Sequence, residues 1–274
     1  VESLQNPAAL RQKNGRARVL DINSPSGLAA HEQVREERFQ RVWTQELDDV
    51  FADVASYYDR ANHVASLGLW NWFLKQFMGT IDVRPGQRVL DVCAGTNAVG
   101  IALLKREPTL EVHAIDRSAA MQAVGRERAR EQGFEIESVI GDVHTLPFPD
   151  DHFDIVTLQW ASRHLMVVDA FSEILRVLKP GGYFYHCDML RPGNPVVERL
   201  YYAYLRFCLA FTGFTFRSGA AALKCKRYFI NALSMFYSAE ELSQLVQQIG
   251  YCDVSHKSLL AGMIGCHRMA KPEE

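Results

Sequence analysis

The chain of 274 residues has room for one large domain or two small ones. With 48% hydrophobic and 23% charged residues it has an ordinary globular composition, which excludes disordered, collagen-like and low-complexity classes. At this length a core needs no disulfide or metal, and Lys and Arg totalling 30 against 32 Asp and Glu give no electrostatic case for a nucleic-acid partner.

The six cysteines (Cys93, Cys187, Cys208, Cys225, Cys252 and Cys266) form no CxxC pair, and the nine histidines form no HExxH. No metal centre is therefore expected. Scattered thiols with no signal peptide read as a cytoplasmic chain. No uncharged apolar run reaches the ~18–20 residues of a membrane span.

In chain order, residues 1–46 read as an extension. Arg11, Lys13, Arg16 and Arg18 mark a mobile arm, Asn23 to Gly27 a loop, and Ala29 to Leu47 a helix. Residues 47–274 read as one domain. From Arg88 onward, strand-length apolar runs alternate with helix-length segments: strands at 88–92, 110–115, 136–140, 153–158 and 183–187, and helices at 98–105, 118–131 and 168–178. Ser118 is the expected N-cap of the second helix. The alternation predicts an α/β fold, a mostly parallel sheet with helices on both faces. The last third breaks the rhythm: a long aromatic segment at 196–216, a turn at Ser218-Gly219, a helix at 238–249 stopped by Gly250, and closing strands at 251–255 and 259–267.

Chemistry gathers at the strand ends. After the first strand comes Asp91-Val-Cys-Ala94-Gly95-Thr96-Asn97, an acid followed by a tight turn into a helix. Small residues let a ligand approach the backbone, and the helix start offers free N–H groups. The spacing is not the dinucleotide GxGxxG, because Asn97 stands where a glycine would; Asn tolerates the left-handed conformation needed there. Asp116 ends the second strand, where an acid can take two ribose hydroxyls. Asp142-Val143 follows the third, where an acid can accept from an adenine amino group.

These motifs, with Leu178-Lys-Pro-Gly-Gly182 before the fifth strand, resemble class I S-adenosylmethionine-dependent methyltransferases. A seven-stranded sheet with its last strand antiparallel is what that resemblance implies, and the helix read before Leu47 adds an N-terminal helical cap. A narrower one rests on Phe51-Ala-Asp-Val54-Ala55-Ser-Tyr-Tyr58-Asp59-Arg-Ala-Asn62-His-Val-Ala-Ser66-Leu-Gly68, on Leu146-Pro-Phe-Pro149, on Arg176 to Gly182, on Arg163 and on Arg227-Tyr228-Phe229. Over about residues 51–270 the chain resembles the ubiquinone/menaquinone biosynthesis C-methyltransferases. It departs from them at Asn97 and Ala98, at Gln159, at His164, at Trp70 and at Asp188.

The resemblance implies S-adenosylmethionine as cofactor, held by Asp91, Ala94, Gly95, Thr96, Asn97, Asp116, Arg117, Met121, Asp142, Val143 and Gln159. It implies a small aromatic, prenylated acceptor, with Arg163, Tyr58, His164 and Asp59 as catalytic candidates. Arg163 cannot readily be a base but can hold a phenolate; the other three are candidate proton carriers. The aromatic run Leu200 to Phe211, with Phe214 and Phe216 and the nearby Arg206, Arg217, Lys224, Lys226 and Arg227, reads either as core or as a wall for a prenyl tail and a peripheral contact with the inner face of a membrane. An oligomer is compatible with all of this. The alternatives are a methyltransferase for another small aromatic acceptor and a non-catalytic cofactor-binding subunit.

Overall fold

The computed structural model describes residues 25–215 and 226–274. The expected arm at 1–20, the turn at Ser218-Gly219, and the side chains of Phe214, Phe216, Arg217, Lys224, Lys226 and Arg227 lie outside the described residues.

Strands β1 (Arg88–Val92), β2 (Glu111–Asp116), β3 (Glu137–Ile140), β4 (Phe153–Gln159), β5 (Leu178–Met189), β6 (Cys252–Leu259) and β7 (Ile264–Ala270) form one sheet in the order β3-β2-β1-β4-β5-β7-β6. Strands β1 to β5 pair in parallel, and β7 runs antiparallel between β5 and β6. The strand order reverses between β1 and β4, which puts a ligand crevice at the carboxyl ends of these strands. Val89, Leu90, Val92, Ile155, Val156 and Leu158 are all buried, as expected for central parallel strands covered on both faces.

Helices α1 (Pro25–Arg41), α2 (Leu47–Val54), α3 (Tyr58–Ala65), α4 (Trp70–Met78), α5 (Ala98–Arg106), α6 (Ala119–Glu131), α7 (Val167–Val177), α8 (Pro195–Thr215), α9 (Lys226–Ser234) and α10 (Ala239–Ile249) complete the described fold. Helix α7 and helix α10 bury Phe171, Ile174, Leu242 and Val246 against one sheet face. On the other face Phe73 and Phe77 of α4 meet Leu103 of α5 and Ile155.

Ser118 caps α6 by accepting from Met121 N–H. Ser238 and Glu241 form a reciprocal capping box on α10, which satisfies two otherwise unpaired donors. Three expectations are corrected. Helix α1 starts at Pro25 inside the expected loop, because proline lacks only an N–H that the first turn leaves unpaired. The second closing strand starts at Ile264, because Leu260, Ala261 and Gly262 adopt left-handed conformations and belong to the hairpin turn. Strand β5 reaches back to Leu178 through a register shift against β4.

From α1 the chain passes through a π-helical turn, Val42–Glu46, into α2. Phe39, Trp43, Leu47 and Val50 pack on Tyr228 and Ala232 of α9 and on Met235 just after it. These helices therefore lie over the crevice.

Candidate active site

The turn after β1 is the first part of the site. Cys93, Gly95 and Asn97 all have positive φ, at 53°, 52° and 56°. The two side-chain-bearing residues carry a steric penalty of about 1–2 kcal/mol each in that region; strain of this kind concentrates where a ligand must meet backbone. A Cβ on Gly95 would come within 3.2 Å of Met121 Cε, so the glycine keeps the cleft open.

Asp91 is buried and accepts from Thr157 Oγ1 at 2.7 Å, while no hydrogen bond to its Oδ2 is seen among the described residues. Burial pushes its carboxyl up to about 7. Asp116, at the end of β2, accepts the Gly95 and Ser118 N–H groups, each at 2.8 Å. Those two bonds fix its carboxylate at the strand end, and its remaining lone pairs can take further donors. Burial raises its carboxyl too.

A crevice lined by Asp91, Ala94, Gly95, Thr96, Asp116, Arg117, Met121, Val143, Gln159 and His164 joins the ends of β1 to β4. Nine of the eleven sequence-predicted cofactor residues therefore share one pocket. The other two lie outside its wall. Asn97 is fully buried and accepts from Gln122 Nε2 at 2.9 Å, which locks the turn onto α6. Asp142 accepts from His144 Nδ1 at 2.5 Å, and that bond holds its carboxyl down at about 2.

Sequence reasoning missed the upper wall. Arg117 donates to the Trp43 carbonyl and to Asp48, both at 2.9 Å, so the π-helical turn and α2 close over the crevice; Trp43, Leu47 and Asp48 line it. Their helical spacing resembles that of any packing helix, which left no signal for this role.

Beyond Phe51, Tyr58, Trp70 and Trp160, which line both spaces, the crevice adjoins a cavity of about 730 Å³. Its walls are almost wholly apolar and include Leu200, Tyr201, Leu205 and Leu209 of α8. Trp70 stacks on Trp160 with ring centroids 5.4 Å apart.

Arg163 reaches this cavity. Its Nη1 donates to the Trp160 carbonyl at 2.9 Å and pairs with the fully buried Asp188; no hydrogen bond from its other guanidinium nitrogens is seen among the described residues. Asp188 thus supplies the counter-ion from β5. Tyr58 lies beside it, and burial pushes its phenol up to about 12. Asp59 pairs with Arg128 at 2.5 Å and accepts from Thr96 Oγ1 at 3.1 Å, tying α3 to the cofactor turn. His164 is buried on the crevice side. Its Nδ1 meets Tyr228 Oη at 2.6 Å, and that hydroxyl also accepts from Trp43 Nε1 at 2.8 Å. Its Nε2 has no partner among the described residues, and burial beside Arg163 and Arg35 holds its pKa well below the ordinary value.

The sheet order, with Asp91 and Asp116 at the ends of neighbouring strands on one crevice, is that of a class I methyltransferase. Solved methyltransferases share the fold: Haemonchus contortus phosphoethanolamine N-methyltransferase 2, with S-adenosylhomocysteine bound, superposes with a TM-score of 0.56 at 17% identity over 75% of this chain and 53% of that one. A model of the ubiE/COQ5 methyltransferase family matches residues 13–271; the chain belongs to that family and is an S-adenosylmethionine-dependent methyltransferase. A ubiquinone/menaquinone biosynthesis C-methyltransferase of Ectopseudomonas mendocina is 33% identical over 83% of this chain and 90% of its own length. A demethylmenaquinone methyltransferase of Anoxybacillus flavithermus is 32% identical over 88% and 99%.

The residues fit the cofactor. The unpartnered Asp91 Oδ2 suits a cationic amino group, Asp116 suits vicinal hydroxyls, and the glycine turn leaves space for the chain between them. When bound, S-adenosylmethionine supplies a methyl group already activated by its sulfonium. Replacing Asp116 with Ala is expected to weaken cofactor binding by about 2–3 kcal/mol, the scale of lost bonds to a charged acceptor, with the fold retained. Calorimetry with S-adenosylhomocysteine checks this; an unchanged affinity refutes the assignment.

Proposed function

We propose that this chain methylates a ring carbon of a polyprenylated quinol precursor, a demethylmenaquinol-like naphthoquinol. The observation that carries the reading is the junction of the cofactor crevice with a large apolar cavity that the Arg163 guanidinium reaches. The names of the two bacterial relatives support the substrate class.

Carbon is a weak nucleophile, so the ring needs a hydroxyl held as phenolate. Arg163 favours that anion as a fixed cation in an apolar surround. Tyr58, whose phenol keeps its hydrogen at neutral pH, donates to the same oxygen. His164, neutral and with Nε2 unpartnered, carries the ring hydrogen away. Asp59 holds Tyr58 in place through its ties to Arg128 and Thr96. The segment before Leu47 caps the cofactor pocket through Trp43, and residues 47–274 carry the catalytic apparatus.

Around the cavity the surface is apolar. Leu67 and Leu200 line the cavity and are 78% and 67% exposed, and Phe207 on α8 is 65% exposed. We read them as the place where the tail leaves the protein for a lipid surface. No described helix is long and apolar enough to cross a membrane, and peripheral contact asks only for this patch. Flotation with anionic vesicles is expected to carry the protein up, and Leu200→Ser with Phe207→Ser to release it. A wild type that stays at the bottom at low and high salt refutes the membrane contact.

The function itself is tested by incubating the protein with methyl-labelled cofactor and reduced demethylmenaquinone in detergent, then locating the label in the product. Label on the ring carbon is expected. Label on oxygen, or none with quinols while another aromatic is methylated, overturns the reading.

A further inference from the structure

Behind Arg163 and its counter-ion Asp188 lies a buried hydrogen-bonded chain whose further members no role above uses. His186 on β5 and His267 on β7 are register partners, both fully buried, with Nδ1 atoms 3.4 Å apart. His186 Nε2 is 2.7 Å from Ser162 Oγ. Ser162 Oγ is 2.6 Å from Asp188 Oδ2. At the other end His267 Nε2 is 3.0 Å from the Ala239 carbonyl.

Both ends of this chain accept. The Ala239 carbonyl has no hydrogen to give, and Asp188 also receives Arg163 Nη1 and the N–H groups of Arg163 and Met189. Four contacts between two acceptors need four hydrogens. Ser162 and two neutral imidazoles carry three. Ser162 gives its hydrogen to Asp188, His186 gives its Nε2 hydrogen to Ser162, and His267 gives its own to Ala239. The gap falls at the longest contact, where the two Nδ1 lone pairs face each other. The chain has room for one more proton.

Arg163 and Asp188 together are neutral. A hydroxyl that ionises beside Arg163 adds a negative charge that this pair does not offset, which is unfavourable in an apolar cavity at low dielectric. We propose that the Asp188–Ser162–His186–His267 chain takes up one proton as the acceptor's hydroxyl ionises, and so offsets the negative charge that the neutral Arg163–Asp188 pair leaves unbalanced. The O–H bond breaks, the oxygen keeps the electron pair, and the chain gains the proton, which settles between the two Nδ1 atoms. Once the methylated carbon has lost its hydrogen, that proton returns to the oxygen, and one proton in all leaves the substrate.

The surroundings agree. Burial holds His186 and His267 down at about 3, so the chain keeps its gap at neutral pH until a negative charge arrives. The other groups facing the chain are Arg163; His256 on β6, with its ring centroid 5.4 Å from His267; and Glu240 on α10, which interacts with His267 and lies 3.8 Å from His256. Tyr58 and Tyr201 face the Arg163–Asp188 pair. All four members act through Arg163 and are positioning residues.

The inference rests on the quinol reading only in needing an acceptor with an ionisable hydroxyl. The probe is 1-naphthol, added to protein loaded with S-adenosylhomocysteine at pH 8. Absorbance reports its ionisation, and calorimetry in two buffers of different protonation enthalpy counts protons exchanged with solvent. Wild type is expected to bind naphtholate while releasing far less than one proton per molecule. His186→Gln, shown to be folded by its thermal transition, is expected to release about one proton per naphtholate or to leave the naphthol un-ionised. Wild type releasing a full proton, or forming no naphtholate, overturns the proposal without recourse to any variant. Methyl transfer to reduced demethylmenaquinone, run in parallel, separates the two readings: transfer without the proton uptake refutes the chain alone.

Discussion

Arg163→Ala is expected to lower turnover on the order of 10²-fold or more, the scale of losing one preorganised electrostatic contact, with cofactor affinity little changed. The structure adds a second expected effect. Asp188 is fully buried and its charge partner is Arg163. Removing the cation strands a buried carboxylate, which destabilises by about 3–5 kcal/mol. The two effects part in the double variant. Arg163→Ala with Asp188→Asn should recover most of the stability and none of the turnover, because a neutral amide needs no counter-ion and offers the phenolate no cation. Arg163→Lys should keep the charge and lose the planar fork, so partial activity is expected. Turnover at saturating substrates, cofactor affinity by calorimetry and unfolding by denaturant are the three measurements. Near-normal turnover in Arg163→Ala, or activity lost in proportion to cofactor affinity, removes the role assigned to this residue.

The cofactor side was legible in the sequence because it is local. Asp91, Asp116 and the turn through Gly95 sit at strand ends, and the alternation of strands and helices fixes where strand ends must lie. Asn97 is a residue type that tolerates a left-handed turn, and it adopts one; that its side chain bonds inward to Gln122 depends on how α6 packs and has no local signature. The acceptor side was legible only through single residues. Arg163 could be picked out, but not its partner Asp188, which lies 25 residues on and meets it because β4 and β5 pair in parallel. His186 and His267 lie 81 residues apart and are brought together only by the antiparallel register of β5 and β7. The cavity depends on α2, α3, α4, α8 and α9 jointly, and no periodicity in one helix reports a space shared by five. The aromatic run on α8 was ambiguous for a physical reason: Tyr201 and Leu205 line the cavity while Phe207 faces solvent, so neither a core helix nor an amphipathic surface helix describes it.

Acid should unfold this protein early, and the buried histidines should be the cause. An unfolded histidine takes a proton near pH 6.5, whereas burial holds His186 and His267 down at about 3. Between those values the unfolded state binds more protons, so stability falls as pH falls. At pH 5 each of the two is expected to have lost about 2 kcal/mol relative to pH 8. His164 and His31 are lowered by burial as well and act in the same direction. Asp91 and Asp116 run the other way: burial raises both carboxyls, that of Asp91 to about 7, so the folded state takes protons there before the unfolded one does. The gain from Asp91 over the same interval is of the order of one or two histidines, and the four histidines act against these two carboxyls. A single variant isolates the effect from these opposing contributions. His267→Gln can keep an N–H for the Ala239 carbonyl and cannot be protonated. The difference in unfolding free energy between pH 8 and pH 5 should therefore be about 2 kcal/mol smaller in the variant than in wild type, whatever the variant's absolute stability. Urea unfolding at both pH values measures it. An equal pH dependence in the two proteins would mean that His267 is not held neutral in the folded state, and would remove the premise of an empty proton position between it and His186.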